Sequence, residues 1–359
     1  MARVGVIGGG LAGLVVAYRR AAAGDDVVLL ESGVRLGGQL HTERSDGFII
    51  EHGAEGFVAS SAAVPKLADD LGIEGDLIGQ RTLLSYGFDG AQLIALAPGE
   101  AGAFLGFQVP TDDLGRGIRT LRLGMAELSD VLAGALVERV VVDAPRAVTG
   151  LALHRDAVQI LRAGASPIEV DAAVIAAPAR GASALLASAP EPVGSAARAL
   201  AAARVASILT VSLAYPRETI DHPLDGTGFV VADPAKIGGL RACTFTSSKF
   251  DGRAPADRAS LRAFFRPDPA DIEKLDDAAW IARADDSIRR VLRVESPPLR
   301  GWVSRWSSAL PVFNDDHRAK VATLEAALTG RRVWLAGSAF HGSGIDRAVR
   351  SAEACALSL

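Results

Sequence analysis

Residues Val6 to Gly33 read VIGGGLAGLVVAYRRAAAGDDVVLLESG, and their glycines and one acid are spaced for holding a dinucleotide. Gly8, Gly10 and Gly13 fit G-x-G-x-x-G between a predicted buried strand at Arg3–Ile7 and a predicted helix over Leu14–Ala23. The first glycine permits a tight turn, the second lets the main chain approach a pyrophosphate, and the third lets helix and strand pack closely. Bare N–H groups and a partial positive charge at the helix N-terminus would face the phosphates. A second predicted strand, Val27–Leu30, ends at Glu31, where a carboxylate can accept hydrogen bonds from ribose hydroxyls. A glycine-rich turn without a ligand is the alternative, and the strand, helix and acid in register weigh against it. The motif alone leaves FAD and NAD undecided.

The rest of the chain must position this turn. At 359 residues, 49% hydrophobic, 22% charged and 5% aromatic, it predicts a soluble globular protein of two domains. A net charge of −4 gives no reason to expect nucleic acid or an anionic membrane as partner. Cys243 and Cys355 have neither a metal-ligand spacing nor the pattern of a disulfide framework, which points to a reducing cytoplasm and no metal. No apolar run is long enough to span a bilayer, and the N-terminal apolar stretch reads as strand–turn–helix rather than as a signal peptide.

Further along, the pattern predicts a helix over Ser61–Leu71, a hairpin turning on Asp89-Gly90, and an amphipathic helix over Leu123–Leu136. Strands follow around Arg139–Val142, Val148–His154 and Val158–Leu161, and VDAAVIAAPA from Val170 reads as a strand returning to the nucleotide-binding sheet. Ser207–Ala214, Gly228–Val231, Leu240–Ser248 and Ser260–Phe265 alternate as an antiparallel sheet. A helix from about Ala270 to Leu292 is marked by Ile272, Leu275, Ile281, Ile288 and Leu292.

The residues after the first motif carry a resemblance. ESGVRLGGQLHTERSDGFIIEHGAEGF places Arg35, Gly37 and Gly38, then Glu51 and Gly53, in the order of the R-x-G-G and E/D-x-G segments of the flavin amine oxidase superfamily. RRVWLAGSAFHGSGIDRAVRSAEACALSL, with a strand at Val333–Ala336 and a helix from about Ile345, resembles that superfamily's closing flavin motif. The resemblance implies noncovalently bound FAD. It also implies an α/β fold: a Rossmann-like FAD-binding domain of the amine oxidase type with an interleaved α+β substrate domain on an antiparallel sheet. The expected division gives residues 1–80, 115–204 and 325–359 to the FAD-binding domain, and 81–114 and 205–324 to the substrate domain.

Two further stretches resemble the protoporphyrinogen oxidase branch: RACTFTSSKFDGRAPADRASLRAFF, with its S-S-x-F and G-R-A-P, and RWSSALPVFNDDH, with Phe313 and Asp316 departing from the branch's Tyr and Gly. That resemblance implies oxidation of a porphyrinogen by hydride transfer from a meso carbon to flavin N5, with O2 as final acceptor and hydrogen peroxide as product. Such chemistry needs orientation more than a strong acid or base, and no catalytic residue is assigned. The family's FAD contacts carry over onto Gly8, Gly9, Gly10, Leu11, Ala12, Gly13, Glu31, Ser32, Gln39, Gly53, Ala54, Glu55, Gly56, Val148, Ser338, Ser343, Gly344 and Ile345. Gln39 stands where the superfamily commonly has Arg or Lys, so the expectation is looser FAD binding.

Between Phe57 and Leu121 the chain is much shorter than the family, in the region that covers the substrate and touches the membrane. Three readings stay open: a porphyrinogen oxidase with a shallow site; an amine oxidase or desaturase of a small or carrier-bound metabolite; or a non-catalytic FAD-stabilised module. The expected partners are a small-molecule substrate and O2, with a weak peripheral membrane contact or a lid-completing protein as further expectations. Lys249 and Arg253 are candidates for substrate carboxylates, against a solvated loop. His341 is a candidate for shaping the substrate side, against a loop role. Trp306 is a candidate cavity wall, against core, and His52 reads as structural.

Overall fold

The structure, a computed structural model, describes residues 1–105 and 111–359. Residues 106–110, part of the expected substrate domain, lie outside the described residues.

Five parallel strands form one sheet, in the order Val140–Asp143, Asp26–Leu30, Arg3–Ile7, Ala172–Ile175, Val333–Leu335. Both faces of the inner strands are covered, which is why they read as near-continuous apolar runs, while Val141 and Val142 on the edge strand are exposed. Helices Leu11–Ala22, Ala126–Leu136 and Ile345–Ser358 bury Leu14, Leu132 and Val349 against one face. On the other lie a three-stranded antiparallel meander and helices Ala179–Leu186, Val193–Ala201 and Asp315–Leu328. The expected domain boundary at 324 and 325 falls inside this last helix, whose Val321, Leu324 and Leu328 belong to the same core.

A second sheet has seven strands, in the order Arg300–Pro311, Val205–Pro216, Arg258–Phe265, Leu240–Thr244, Gly228–Val231, Ser85–Phe88, Leu93–Leu96. Neighbours run antiparallel except Gly228–Val231 beside Ser85–Phe88, which run parallel. The two-residue side-chain period splits its faces. Leu209, Val211, Leu213 and Tyr215 pack under Trp280 and Ile288 of helix Asp277–Leu292. Thr210, Ser212 and Ala214 alternate with them on the opposite face, where Ala214 and Trp302 meet Phe48 and Ile50 of the hairpin Thr42–Ser45/Phe48–Glu51.

Several local expectations need correction. The hairpin at Asp89 has a four-residue loop, because Phe88 pairs with Leu93 and the Asp89 carboxylate accepts from the N–H groups of Ala91 and Gln92. The Ala270–Leu292 helix is two pieces, Pro269–Ile272 and Asp277–Leu292, separated where Asp276 caps the second by accepting from Ala279 N–H at 2.8 Å. Leu240–Ser248 stops as a strand at Thr244, and Thr246–Lys249 turns into a short helix. The dinucleotide helix starts at Leu11, three residues earlier than expected.

Candidate flavin site

The glycine-rich turn is built as its spacing predicts. Gly8 has φ +109° and its N–H donates to Leu30 O at 2.8 Å. Gly10 is the N-cap of helix Leu11–Ala22 in extended conformation, and no side chain caps that helix. A Cβ on Gly13 would sit 1.8 Å from Gly8 O, so helix and turn are in direct main-chain contact there. Glu31 accepts from the N–H groups of Gly9 at 2.7 Å and Gly33 at 2.6 Å, which fixes its carboxylate beside the turn, with Ser32 Oγ at 3.2 Å. Val148 follows shortly after Arg146, whose N–H donates to Glu31 O at 2.7 Å.

Arg35 explains its motif physically. Its guanidinium donates to the carbonyls of Leu36, Gly38 and Leu40 at 2.7–2.9 Å, holding the Gly37–Gly38 bend against Gly10. A Cβ on Gly38 would come within 2.9 Å of Gly10 Cα. Gln39 is exposed, and its amide reaches Ala309 O at 3.3 Å. A Cβ on Gly53 would meet Gln39 O at 1.7 Å, and one on Gly56 would meet Arg119 O at 2.4 Å. Ala54 N–H donates to Gln39 O at 3.4 Å. At the far end of the chain, Gly337 abuts Ala12, with 2.9 Å between a hypothetical Cβ and Ala12 Cβ. Gly344 caps helix Ile345–Ser358 without a side-chain cap, and Ile345 shares a core with Leu11 and Ala12. Ser338 is half-buried and Ser343 exposed in the connecting turn.

These features fit a dinucleotide: two uncapped helix starts, a bend with no side chains at Gly10 and Gly38, and one carboxylate fixed next to the turn. Glu31 meets Gly9, and the Arg35-braced bend at Gly37 and Gly38 meets Gly10, while Gly53 packs on the Gln39 carbonyl next to that bend.

Beneath Gly53 lies a charged layer that the sequence does not reveal. Arg262, on the sheet's hairpin-facing side, donates to Gly53 O at 2.8 Å and Thr210 Oγ1 at 3.2 Å. Lys249 donates to Glu55 at 2.9 Å, with both side chains nearly buried. Burial alone would raise the Glu55 carboxyl, yet Lys249 and Arg262 outweigh it and hold that carboxyl below its ordinary range. Arg253 is 1% exposed and donates to Thr120 Oγ1 and Leu121 O. Arg253 is therefore sealed in the core and unavailable to a substrate carboxylate, and Lys249 is already paired. Burial also presses both guanidiniums below their usual range, against the pull of Glu51 and Glu55.

The His52 ring contacts Ser304 Oγ at 2.8 Å and Glu43 at 3.1 Å, and stacks on His41. Trp306 donates its indole N–H to His52 O at 2.7 Å, so it holds this segment to the sheet. His341 lies between Ser351 and Glu325.

Glu51 accepts from Met125 N–H at 2.7 Å and Thr42 Oγ1 at 2.8 Å, and burial raises its carboxyl to about 7. Its folded pKa lies above the ordinary value of 4.5, so the native state holds the extra proton and stability falls as pH rises from 4.5 through about 7. Glu51→Gln keeps an acceptor for Met125 without the charge. The melting temperature of this variant at pH 8 is expected to exceed that of the parent by a few degrees, converging near pH 4.5; a lower value at both pH values would contradict the buried-carboxyl account.

A family model for flavin-containing amine oxidoreductase matches residues 80–357, and one for an NAD(P)-binding Rossmann-like domain matches residues 6–71. Coproporphyrinogen III oxidase of Propionibacterium freudenreichii is 25% identical over 97% of this chain and 89% of its own length. The Bacillus subtilis enzyme of that name is 22% identical, covering 97% of this chain and 96% of its own. The first alignment runs over 485 positions against 359 residues here, so much of that relative has no counterpart. Among solved structures, a candidate protoporphyrinogen oxidase of Exiguobacterium sp. 255-15 superposes with TM-score 0.84 at 21% identity, covering 99% of this chain and 98% of its own. Putrescine oxidase bound to putrescine gives 0.74 at 16%, with the same coverage. These structures share the fold. With the family model spanning well over half of its length, the chain belongs to the flavin-containing amine oxidoreductase family and is an FAD-dependent oxidoreductase.

Proposed function

We propose that this protein is an oxygen-dependent oxidase of a porphyrinogen-type tetrapyrrole in the cytoplasm, with hydrogen peroxide as co-product. One observation carries the reading: alignments with coproporphyrinogen III oxidases run from near one end to near the other of both chains, 97% of this chain in each case, although the relatives carry long insertions with no counterpart here. Bound FAD supplies the two-electron acceptor that O2 reoxidises. The chain's part is binding and orientation. Glu31 would take the ribose hydroxyls, and the N–H groups from Leu11 to Gly13 the pyrophosphate. Ser32, Gln39, Gly53–Gly56 and Val148 would line the cofactor's length, with Ser338 and Ser343–Ile345 at its ring end. Arg262 fixes the Gly53 carbonyl and Trp306 that of His52, so the segment expected against the ring is held from the sheet side.

The titratable groups around this segment are already engaged: Lys249 on Glu55, His52 between Ser304 and Glu43, and Glu51 on Met125 and Thr42. That supports a reaction driven by orientation rather than by a free acid or base.

A second reading, oxidation of a smaller or carrier-bound amine or C–C bond, draws on the segment between strands Phe57–Val58 and Ile118–Leu121. Its described part holds only short elements, the longest being helix Ala63–Asp70. Leu83, Ile94 and Phe104 are 44–51% exposed there. A peripheral membrane contact, or a protein partner that completes the lid, would cover them.

Coproporphyrinogen III or protoporphyrinogen IX added to the FAD-loaded protein should give porphyrin fluorescence rising several-fold faster than the autoxidation blank. Gly10→Trp should abolish the excess. A trace equal to the blank with flavin present would overturn the porphyrinogen reading; peroxide formed from an amine would then establish the second, and none from either would indicate a non-catalytic module or a missing lid partner.

A further inference from the structure

Away from the glycine cradle, helix Ile345–Ser358, strand Val333–Leu335 and the end of helix Asp315–Leu328 line a hollow of about 840 Å³ that is broadly open to solvent. None of its lining residues belongs to the turn at Gly8–Gly13, to Glu31 or to Gly53–Gly56. The volume lies in the range of small-molecule sites. Leu328, Trp334 and Cys355 supply apolar wall, and Arg332, Arg347 and Arg350 supply cationic groups. In a chain of net charge −4, three guanidiniums on one opening are a local reversal of sign. Arg350 is engaged by Asp346 at 2.8 Å and Arg332 reaches the Asp171 carbonyl at 3.5 Å, whereas Arg347 is exposed and makes no ion pair among the described residues. An apolar wall beside an uncommitted guanidinium recognises a molecule with an apolar body and one carboxylate.

The same wall carries a chain of hydrogen bonds. Glu325 meets His341 Nε2 at 2.7 Å, His341 Nδ1 meets Ser351 Oγ at 2.5 Å, and Gly337 N–H donates to that Oγ at 2.7 Å. Gly337 has φ +107° and rests on Ala12, in the first turn of the dinucleotide helix. A carboxylate drawn in by Arg347 would compete with Glu325 for His341, and the change would reach Gly337 through one serine.

We propose that this hollow is a second ligand site, for a small amphipathic carboxylate, whose occupancy alters FAD affinity through Glu325, His341, Ser351 and Gly337. Coupling of this kind is reciprocal: the factor by which the ligand changes FAD affinity is the factor by which FAD changes ligand affinity.

Octanoate titrated calorimetrically into the FAD-loaded protein, without substrate, tests the site independently of the porphyrinogen reading. Saturable binding is expected, weakened about tenfold or more by Arg347→Glu while the melting temperature stays unchanged. The FAD dissociation constant should shift at saturating octanoate in the parent and remain still in His341→Gln. No saturable binding, or equal binding by parent and Arg347→Glu, overturns the site; binding that leaves FAD affinity unmoved overturns the coupling.

Discussion

Gly13→Ala should leave the purified protein almost free of FAD, with affinity reduced on the order of a hundredfold. Two effects oppose each other at this position. Alanine is the better helix former by about 1 kcal/mol, so propensity alone predicts a more stable helix. Against this, the new methyl would lie 1.8 Å from Gly8 O and 3.1 Å from Gly8 C, both main-chain atoms of the turn. Neither can rotate away as a side chain would, so helix Leu11–Ala22 must shift by more than an ångström or the Gly8 turn must open. Either response moves the N–H groups of the helix start relative to Glu31, which is itself tied to Gly9 N–H at 2.7 Å. Sterics win because the clash is with backbone. Gly24→Ala is the matched control: its φ of +91° makes alanine strained, at a cost of about 1 kcal/mol, but nothing stands within 4 Å of the new methyl. That variant should lose stability and keep its flavin. The ratio of flavin to protein absorbance and the FAD dissociation constant distinguish the two. Full flavin with a raised melting temperature in Gly13→Ala would show that the close approach does not govern the cradle.

The cradle was legible because its causes are local. Gly8, Gly10, Gly13 and Glu31 lie within one strand–turn–helix–strand unit, and the third glycine's main-chain contact is with the first. The parallel strands were legible through their apolar runs. Where local signals misled, competing local chemistry explains it. Asp89-Gly90 has the composition of a two-residue turn, but the Asp89 side chain accepts from Ala91 and Gln92 and organises a longer loop. Ile272 and Leu275 continue the helical period toward Ile281, yet Asp276 caps a new helix between them. Strand Ala165–Val170 went unread because Pro167 interrupts a short, half-polar stretch. The layer under Gly53 was illegible for a different reason: its members meet across 194 residues at Lys249–Glu55 and 209 at Arg262–Gly53. Arg253 and Lys249 looked like loop cations available to a substrate, since nothing in GRAP or SSKF signals that the fold turns them inward.

That layer supports the second large effect. Lys249→Met should destabilise the protein by about 3–5 kcal/mol at neutral pH, because it leaves the Glu55 carboxylate buried without its partner. Side-chain exposure is only 12% for Lys249 and 10% for Glu55, so water does little to screen the loss. Glu55 Oε1 already has no hydrogen-bond partner among the described residues, and the lysine holds the other oxygen. Glu55 has a folded pKa below its ordinary value of 4.5, so its pairing contributes stability above pH 4.5 that is lost as pH falls through the folded pKa. Without Lys249, only the charges of Arg262 and Arg253 oppose burial, and the carboxyl takes up a proton more readily. The deficit of the variant should therefore be largest near pH 7.5 and shrink toward pH 4.5, where a neutral Glu55 needs no cation. Glu55→Gln combined with Lys249→Met should recover most of the loss at pH 7.5, since contacting residues are not additive. Melting curves of the parent, both single variants and the double variant at the two pH values complete the cycle. A deficit independent of pH, or a double variant equal to the sum of the singles, would mean that Lys249 acts by packing on Phe250, whose ring lies 5.3 Å from its ammonium, and not by neutralising Glu55.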